Sequence, residues 1–257
     1  MRRAWSLFCT AVHALLLREL KTRFGEYRLG YLWALLEPLA HLAMLLLIFG
    51  VFMHRVMPEI SFPVFLVNGI VPYLLFSGMC NRALHALEAN RGLFCYRALR
   101  PIDALLARSL LELLVYAAVY LLLMTVLGLA GEALSGDKLL LLAACWLLLF
   151  LLSFGLALVF MVTAHAFRAA DKLLPMLMKP LYLISGVMFS IHVVPAEYRG
   201  LLDWNPLLQA FELMRHAVCP SYPLYDLSLG SLACWALALL CLGLALYKGR
   251  EPAMLRS

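Results

Sequence analysis

The sequence predicts an all-α polytopic membrane protein. Of its 257 residues, 65% are hydrophobic and 14% are charged, whereas a soluble domain is about half apolar and about one quarter charged. A water-soluble fold with this composition would lack enough polar surface to cover itself. Long apolar runs alternate with short segments rich in Lys and Arg, which is typical of helical spans joined by loops.

Residues 1–28 predict an amphipathic helix that lies in the cytoplasmic interface of the membrane. Its apolar residues fall on one helical face: Trp5, Phe8, Val12, Leu15, Leu16 and Leu20. The cations that follow are expected to bind anionic lipid headgroups. They are Arg18, Lys21, Arg23 and Arg28, directly before the first span at Leu29 and Gly30. Cations in this position indicate a cytoplasmic N-terminus.

Six apolar segments predict six transmembrane helices, five within residues 29–189 and the sixth within 228–247. The fifth is short, because prolines and Lys179 interrupt it. Residues 248–257 are expected to form a cytoplasmic tail. Most of the 21 Lys and Arg residues fall in the segments that this arrangement places inside, which agrees with the positive-inside rule. Arg108 and Glu112 are four residues apart near the inner end of the third span, so they can pair on one helix face and extend toward the membrane surface.

Residues 190–227 do not form a simple outer loop. They contain apolar stretches too short to cross a bilayer, and irregular backbone at membrane depth requires a cover of protein or water. We therefore expect re-entrant helices that dip into the outer leaflet beside a periplasmic gate or cavity. The candidate gate residues are His192, Trp204, Asn205, Pro206 and Phe211.

Residues 81–103 are predicted to form an inner loop with a short amphipathic helix around residues 84–94. This helix could dock on a soluble partner or lie on lipid, and composition does not decide between the two. The candidate docking residues are Leu84, Leu87, Glu88, Asn90, Arg91 and Phe94.

Aromatic and charged residues within the spans suggest a channel. Aromatic faces can stack on sugar rings, although an interfacial belt and ordinary packing explain single residues equally well. The candidate channel residues are Trp33, Glu37, Tyr73, Phe76, Tyr116, Lys179, Tyr182 and Phe189.

Several function classes lack a signal in the sequence. There is no GxxxxGK[ST] motif for nucleotide hydrolysis and no GxSxG motif. The histidines and cysteines are scattered, so neither catalytic nor metal-binding residues are assigned. Cations beside apolar spans favour the membrane surface over nucleic acid as a partner. A proton-coupled carrier remains a weaker alternative, because Glu37, Glu112 and Lys179 are the intramembrane charges that could carry protons.

Five stretches resemble one family. LLLRELKTRFGEYRLGYLWALLEP resembles the opening of ABC-2 type permeases, in which a basic interface helix and an LG turn precede a Trp-bearing span. FPVFLVNGIVPYLLFS, EANRGLFCYRALRPID, KPLYLISGVMFS and WNPLLQAFELMR resemble one branch of that superfamily. That branch comprises capsular polysaccharide export permeases of the KpsM type, and the resemblance extends over the whole chain as a single domain.

The resemblance implies a permease that exports a lipid-linked acidic polysaccharide across the bacterial inner membrane. It implies a homodimer with two copies of a cytoplasmic ABC ATPase, which binds ATP and Mg in place of this chain. A periplasmic co-polymerase or adaptor and an outer-membrane export protein would continue the path. It also implies that Leu29-Gly30 is the LG turn and that Leu84–Phe94 is a coupling helix. Export of another lipid-linked glycan, such as O-antigen or teichoic acid, is the alternative.

Overall fold

The computed structural model describes residues 2–24, 30–52, 60–94, 99–225 and 227–255. Within these ranges the regular structure is helical, which confirms the predicted all-α class. The α-helices are α1 (Arg2–Phe24), α2 (Gly30–Phe52), α3 (Phe62–Leu84), α4 (Pro101–Leu129), α5 (Leu139–Ala166), α6 (Ala170–Ile184), α7 (Ala196–Leu202), α8 (Pro206–Val218) and α9 (Leu229–Met254). Two short 3₁₀ helices are η1 (Glu88–Leu93) and η2 (Ile191–Val193).

Four of the described helices, α3, α4, α5 and α9, are long and apolar enough to cross a membrane. They match the predicted second, third, fourth and sixth spans. Helix α4 has 29 residues, about 43 Å of helix, against a hydrocarbon core about 30 Å thick. In α2 the apolar part among described side chains is Pro38–Ile48, and α6 has only 15 residues. Helix α9 continues well past residue 247, so the first part of the predicted tail is helical.

Helix α3 lies at the centre of the bundle, where most of its residues are buried. It packs against α4 and α5, and also against α2, α6 and α8. Its apolar side chains surround Asn68, whose amide donates to the Val64 carbonyl at 2.8 Å and whose Oδ1 accepts from Tyr120 at 2.8 Å. These hydrogen bonds satisfy the Asn68 amide, whose burial without partners would destabilise the fold.

Helices α5 and α9 pack most closely at Gly155. A Cβ atom there would lie 2.6 Å from the Leu239 carbonyl carbon and 2.6 Å from the Leu240 backbone nitrogen. Only a residue without a side chain permits this approach of two backbones.

Helix α1 packs along the first part of α4. Val12 and Leu15 are buried against Ala107, and Leu16 joins the same cluster. The apolar face predicted for α1 is therefore confirmed at these positions. The side chains of Trp5 and Phe8 lie outside the part of the chain that the structure describes.

The helix ends gather into two opposite groups. At the first, called the α1 end, α1 meets the start of α4, and Arg100 Nε lies 3.8 Å from Glu251 Oε1 of α9. At the second, called the α8 end, the turn between α4 and α5 meets α8. There the Ser135 backbone N–H donates to the Val218 carbonyl at 2.9 Å.

Candidate functional site

A cavity of about 550 Å³ opens at the α1 end. Its walls come from α1, α3 and α4, with Pro175 of α6 at one side. The charged and polar side chains of the lining are Glu19, Arg23, Ser77, Asn81, Arg82, His85, Arg108 and Glu112. With three arginines and two glutamates, the lining has a small excess of positive charge, and each arginine pairs with one of the glutamates.

Glu112 is the centre of this charged cavity. Its side chain is 2% exposed, and Oε1 accepts from Arg23 Nη1 at 2.6 Å and also from Arg82 Nε. Among the described residues, Glu112 Oε2 has no hydrogen-bond partner. A buried carboxylate requires such cationic partners, because desolvation disfavours an isolated charge. Burial lowers the pKa of the Arg23 guanidinium from its ordinary value, while the Glu112 charge acts in the opposite direction.

Arg108 binds a different carboxylate. Its Nε donates to Glu19 Oε1 of α1 at 2.8 Å, and its Nη1 donates to the Arg82 carbonyl at 3.3 Å. The expected pairing of Arg108 with Glu112 is therefore wrong. Helix α1 lies close enough to offer each of them an opposite charge, and spacing along α4 alone could not reveal that.

The loop after α3 folds into a turn and the six-residue helix η1. Arg18 of α1 donates to Asn90 Oδ1 at 2.8 Å, and Asn90 Nδ2 donates to the Ala86 carbonyl at 2.9 Å. Asn90 is buried and fixes the segment to α1, whereas Glu88 and Arg91 are exposed. Of the apolar candidates, Leu84 is buried, and Leu87 and Phe94 are half-buried. A single continuous helix over residues 84–94 does not form.

Three predicted channel aromatics come together. The Tyr73 ring centroid lies 4.9 Å from that of Tyr182 and 6.0 Å from that of Phe76. The Tyr182 hydroxyl lies 2.8 Å from His41 Nε2, and the Tyr73 hydroxyl donates to the Met178 carbonyl. These contacts join α2, α3 and α6. Sequence reasoning missed His41, although a polar residue within an apolar span is itself a signal.

The remaining predicted channel and lipid-contact residues are dispersed. Tyr116 lines the charged cavity, and Phe189 packs beside Ile191 at the α8 end. Lys179 on α6 and Lys21 on α1 are exposed. Gly30 begins α2. Arg28, Leu29 and the side chains of Trp33 and Glu37 lie outside the part of the chain that the structure describes.

The predicted gate residues surround the start of α8. Asn205 caps the helix by accepting from the Leu207 backbone N–H at 3.0 Å, Pro206 occupies its first turn, and Phe211 is fully buried. His192 Nε2 lies 2.9 Å from the Pro223 carbonyl. Trp204 is 74% exposed, with its ring centroid 5.2 Å from that of Trp235 on α9.

Sequence reasoning also missed an ion pair in α8. Arg215 Nη1 donates to Glu212 Oε1 at 2.8 Å, and both side chains are almost completely buried. The available signal was an acidic and a basic residue three apart in an otherwise apolar helix.

These features define a class of protein: a polytopic helical membrane protein with a cationic cavity at one end of its bundle. Among the described residues, no group of three or more His, Cys, Asp or Glu side chains is placed to hold a metal ion. Residues 10–219 match the ABC-2 type transporter family. The match covers most of the chain, so the chain belongs to the ABC-2 type transporter family.

Individual similar proteins indicate which branch of that family the chain resembles. The chain is 54% identical to the polysialic acid transport protein KpsM of Escherichia coli, over 96% of this chain and 95% of that protein. It is 28% identical to the capsule polysaccharide export inner-membrane protein BexB of Haemophilus influenzae, over 94% and 92%. It is 23% identical to the O-antigen export system permease protein RfbA of Klebsiella pneumoniae, over 74% and 73%. These similarities confirm the predicted resemblance to KpsM-type permeases.

Proposed function

We propose that this chain is the membrane subunit of an ATP-driven exporter. In this proposal it moves lipid-linked acidic capsular polysaccharide from the cytoplasm to the periplasm across a bacterial inner membrane. The observation that carries the proposal is 54% identity to a polysialic acid transport protein, over nearly the full length of both chains. Polysialic acid is an anionic polymer, and the cationic cavity at the α1 end suits an anionic cargo.

The proposed topology has six spans with both termini in the cytoplasm. Helices α2 and α6 would supply the first and fifth spans beside the four long helices. The proximity of Arg100 and Glu251 supports a common side for the inner loop and the C-terminus. The packing of Val12 and Leu15 against α4 supports the same side for α1. The α1 end would then face the cytoplasm, and re-entrant helices α7 and α8 would form the periplasmic gate.

In this proposal a separate ABC ATPase supplies the energy for transport. Two ATPase subunits would bind two copies of this chain through the exposed Glu88 and Arg91 of η1. ATP binding would close the ATPase pair and push η1, and the movement would pass to the first and fifth spans at the dimer axis. Because Arg18 joins Asn90 to α1, α1 would move with η1. A periplasmic adaptor and an outer-membrane protein would receive the polymer.

The cargo would follow the polar and aromatic groups of the bundle. Arg18, Lys21, Arg23 and Arg28 would attract the anionic lipid-linked end near the inner leaflet. The aromatic group of Tyr73, Phe76 and Tyr182 would then offer sliding contacts to the sugar rings. Such contacts must stay weak, because a polymer that binds tightly cannot move on.

Export of another lipid-linked glycan is the second candidate, supported by the similarity to an O-antigen export permease. A strain that lacks the gene separates the two candidates, because the untransported polymer accumulates in the cytoplasm and its sugars can be analysed. Capsule polymer there supports the proposal, and O-antigen repeats favour the second candidate.

Reconstitution tests the mechanism. The purified permease is placed in vesicles with and without the co-expressed P-loop ATPase, and uptake of labelled lipid-linked polymer is measured. We expect uptake only with the ATPase, ATP and Mg. Uptake by the permease alone would contradict the proposal. Uptake that stops when the proton gradient is dissipated, with ATP still high, would favour a proton-coupled carrier.

A further inference from the structure

The side chain of Arg215 in α8 is completely buried. Besides its ion pair with Glu212, its Nη2 donates to the Gly186 carbonyl at 2.8 Å and to the Val187 carbonyl at 3.2 Å. Its Nε donates to the Phe65 carbonyl at 3.4 Å, and its guanidinium carbon lies 3.4 Å from the Phe65 ring centroid. One side chain therefore joins α8 to α3 and to the turn after α6.

Glu212 extends this connection to the loop after α8. Its Oε2 accepts from the Tyr222 hydroxyl at 2.8 Å, and that hydroxyl also bonds to Ser190 Oγ. Ser190 caps the start of η2 and lies only four residues after Gly186. The bonds therefore close a ring from α8 through the 219–222 loop to the 185–190 turn and back to Arg215. Breaking the ring would leave a charge buried without its partner, which proteins tolerate poorly.

The backbone packs closely around this ring at two glycines. A Cβ atom at Gly69 of α3 would lie 2.8 Å from the Val187 carbonyl oxygen and 2.9 Å from Arg215 Nη2. Gly186 has a φ of +69°, a conformation that side chains disfavour. Both glycines allow carbonyl groups to approach the guanidinium directly.

Helix α7, by contrast, has no buried residue. Arg199 donates to the carbonyls of His192 and Val194, which lie just before α7 in the chain. Leu201 and Tyr198 are exposed. Ile191, by contrast, is buried against Leu208 of α8. Helix α7 itself therefore presents little apolar surface to the bundle, as expected of a part that moves easily.

We propose that Arg215 and Glu212 are positioning residues that fix α8, the 185–190 turn and the 219–222 loop as an immobile base. Movement of the gate is then confined to residues 193–204, which swing as a unit between His192 and Asn205, because Ile191 and His192 are held by Leu208, Tyr222 and Pro223. This inference rests on the proposed function, because it divides the proposed gate into a fixed and a moving part. Phe211, Asn205, Pro206 and His192 belong to the base, and Trp204 belongs to the moving part.

Reversible cross-linking in the reconstituted permease–ATPase complex tests this division. All native cysteines are replaced, and a short bis-methanethiosulfonate reagent links one introduced pair at a time. The moving pair is Trp204→Cys with Trp235→Cys, whose native rings are in contact. The base pair is Gln209→Cys with Ser231→Cys, whose native side chains are 3.0 Å apart between Oε1 and Oγ. Both pairs join the gate region to α9.

We expect the 204–235 link to abolish ATP-dependent export and reduction of the link to restore it. We expect the 209–231 link to leave export unchanged. Export that survives the first link, or stops with the second, would overturn the inference. ATP-dependent export before linking tests the proposed function separately, and its absence in the wild-type complex would contradict that proposal rather than this one.

A labelling experiment tests the inference without measuring export. Cys219 caps the C-terminus of α8 and is buried, so as the sole cysteine it reports opening of the base to a maleimide. Glu212→Gln removes the charge that pairs with Arg215, and we expect it to raise the labelling rate of Cys219 about tenfold or more. Glu197→Gln on α7 is the matched control and should leave the rate unchanged. Equal rates in both variants would overturn the positioning role.

Discussion

Arg23 of α1 donates to Glu112 of α4 at 2.6 Å, although the two residues are 89 positions apart. Arg82, near the end of α3, binds the same carboxylate oxygen. A single buried side chain thus holds the N-terminal helix and the end of the central helix together. The N-terminal helix is therefore part of the folded bundle as well as a candidate lipid-binding element.

Glu112→Gln should loosen α1 from the bundle. The amide cannot neutralise Arg23 and Arg82, but solvent reaches Arg82, so we expect a loss of about 1–3 kcal/mol in stability. Thermal unfolding of the purified permease and proteolysis within α1 measure the effect. Glu251→Gln is the control, because its partner Arg100 is 3.8 Å away and exposed. Equal stability of the two variants would mean that the Glu112 pairs contribute nothing to the fold.

The two kinds of residue in η1 should respond differently to truncation. Glu88→Ala and Arg91→Ala remove exposed charges, so we expect unchanged permease stability with weaker ATPase binding and reduced export. Asn90→Ala removes the bonds to Arg18 and Ala86, which should destabilise the segment by about 1–2 kcal/mol. Co-purification with the ATPase and thermal unfolding separate the two effects. If the Glu88 and Arg91 variants bind the ATPase as well as the wild type does, η1 is not the coupling segment.

Gly155→Ala should disturb the packing of α5 against α9. The added methyl would lie 2.6 Å from backbone atoms of Leu239 and Leu240, and backbone cannot move aside as a flexible side chain can. We expect a loss of about 1–3 kcal/mol, typical of overpacking. Gly249→Ala in α9 is the control, since a Cβ there meets nothing within 4 Å. Thermal unfolding of both variants checks the prediction, and similar midpoints would show that the two helices can separate without cost.

The sequence could predict the helices and much of their order, because apolar length and cation position carry that information locally. The apolar face of α1 was also predictable, since Val12 and Leu15 follow helical spacing. The partners of charged side chains were not predictable. Arg108 and Glu112 share a helix face, yet each binds a residue on α1 or α3, because that choice depends on how helices pack. The partners of Arg215 were not predictable for the same reason, since its acceptors are carbonyls of Phe65, Gly186 and Val187, distant in sequence.

Tyr182→Phe, in the aromatic group, should reduce polymer export while leaving the stability of the permease nearly unchanged. The ring keeps its contact with Tyr73, while the hydroxyl beside His41 is lost. We expect less than about 1 kcal/mol of destabilisation, because Tyr182 is only half-buried. If hydroxyls guide the sugar chain, the rate of polymer export per folded permease should fall.

Tyr120→Phe should have the opposite effect: lower stability with unchanged export. Its hydroxyl donates to Asn68 Oδ1 at 2.8 Å within the buried core and outside the proposed channel. Loss of that donor leaves a buried amide oxygen unsatisfied, so we expect about 1–3 kcal/mol of destabilisation with export per folded molecule unchanged. Thermal unfolding and reconstituted export, measured on both variants, give the comparison. If Tyr182→Phe exports at the wild-type rate, its hydroxyl does not contact the polymer, and α6 contributes to the fold rather than to the path.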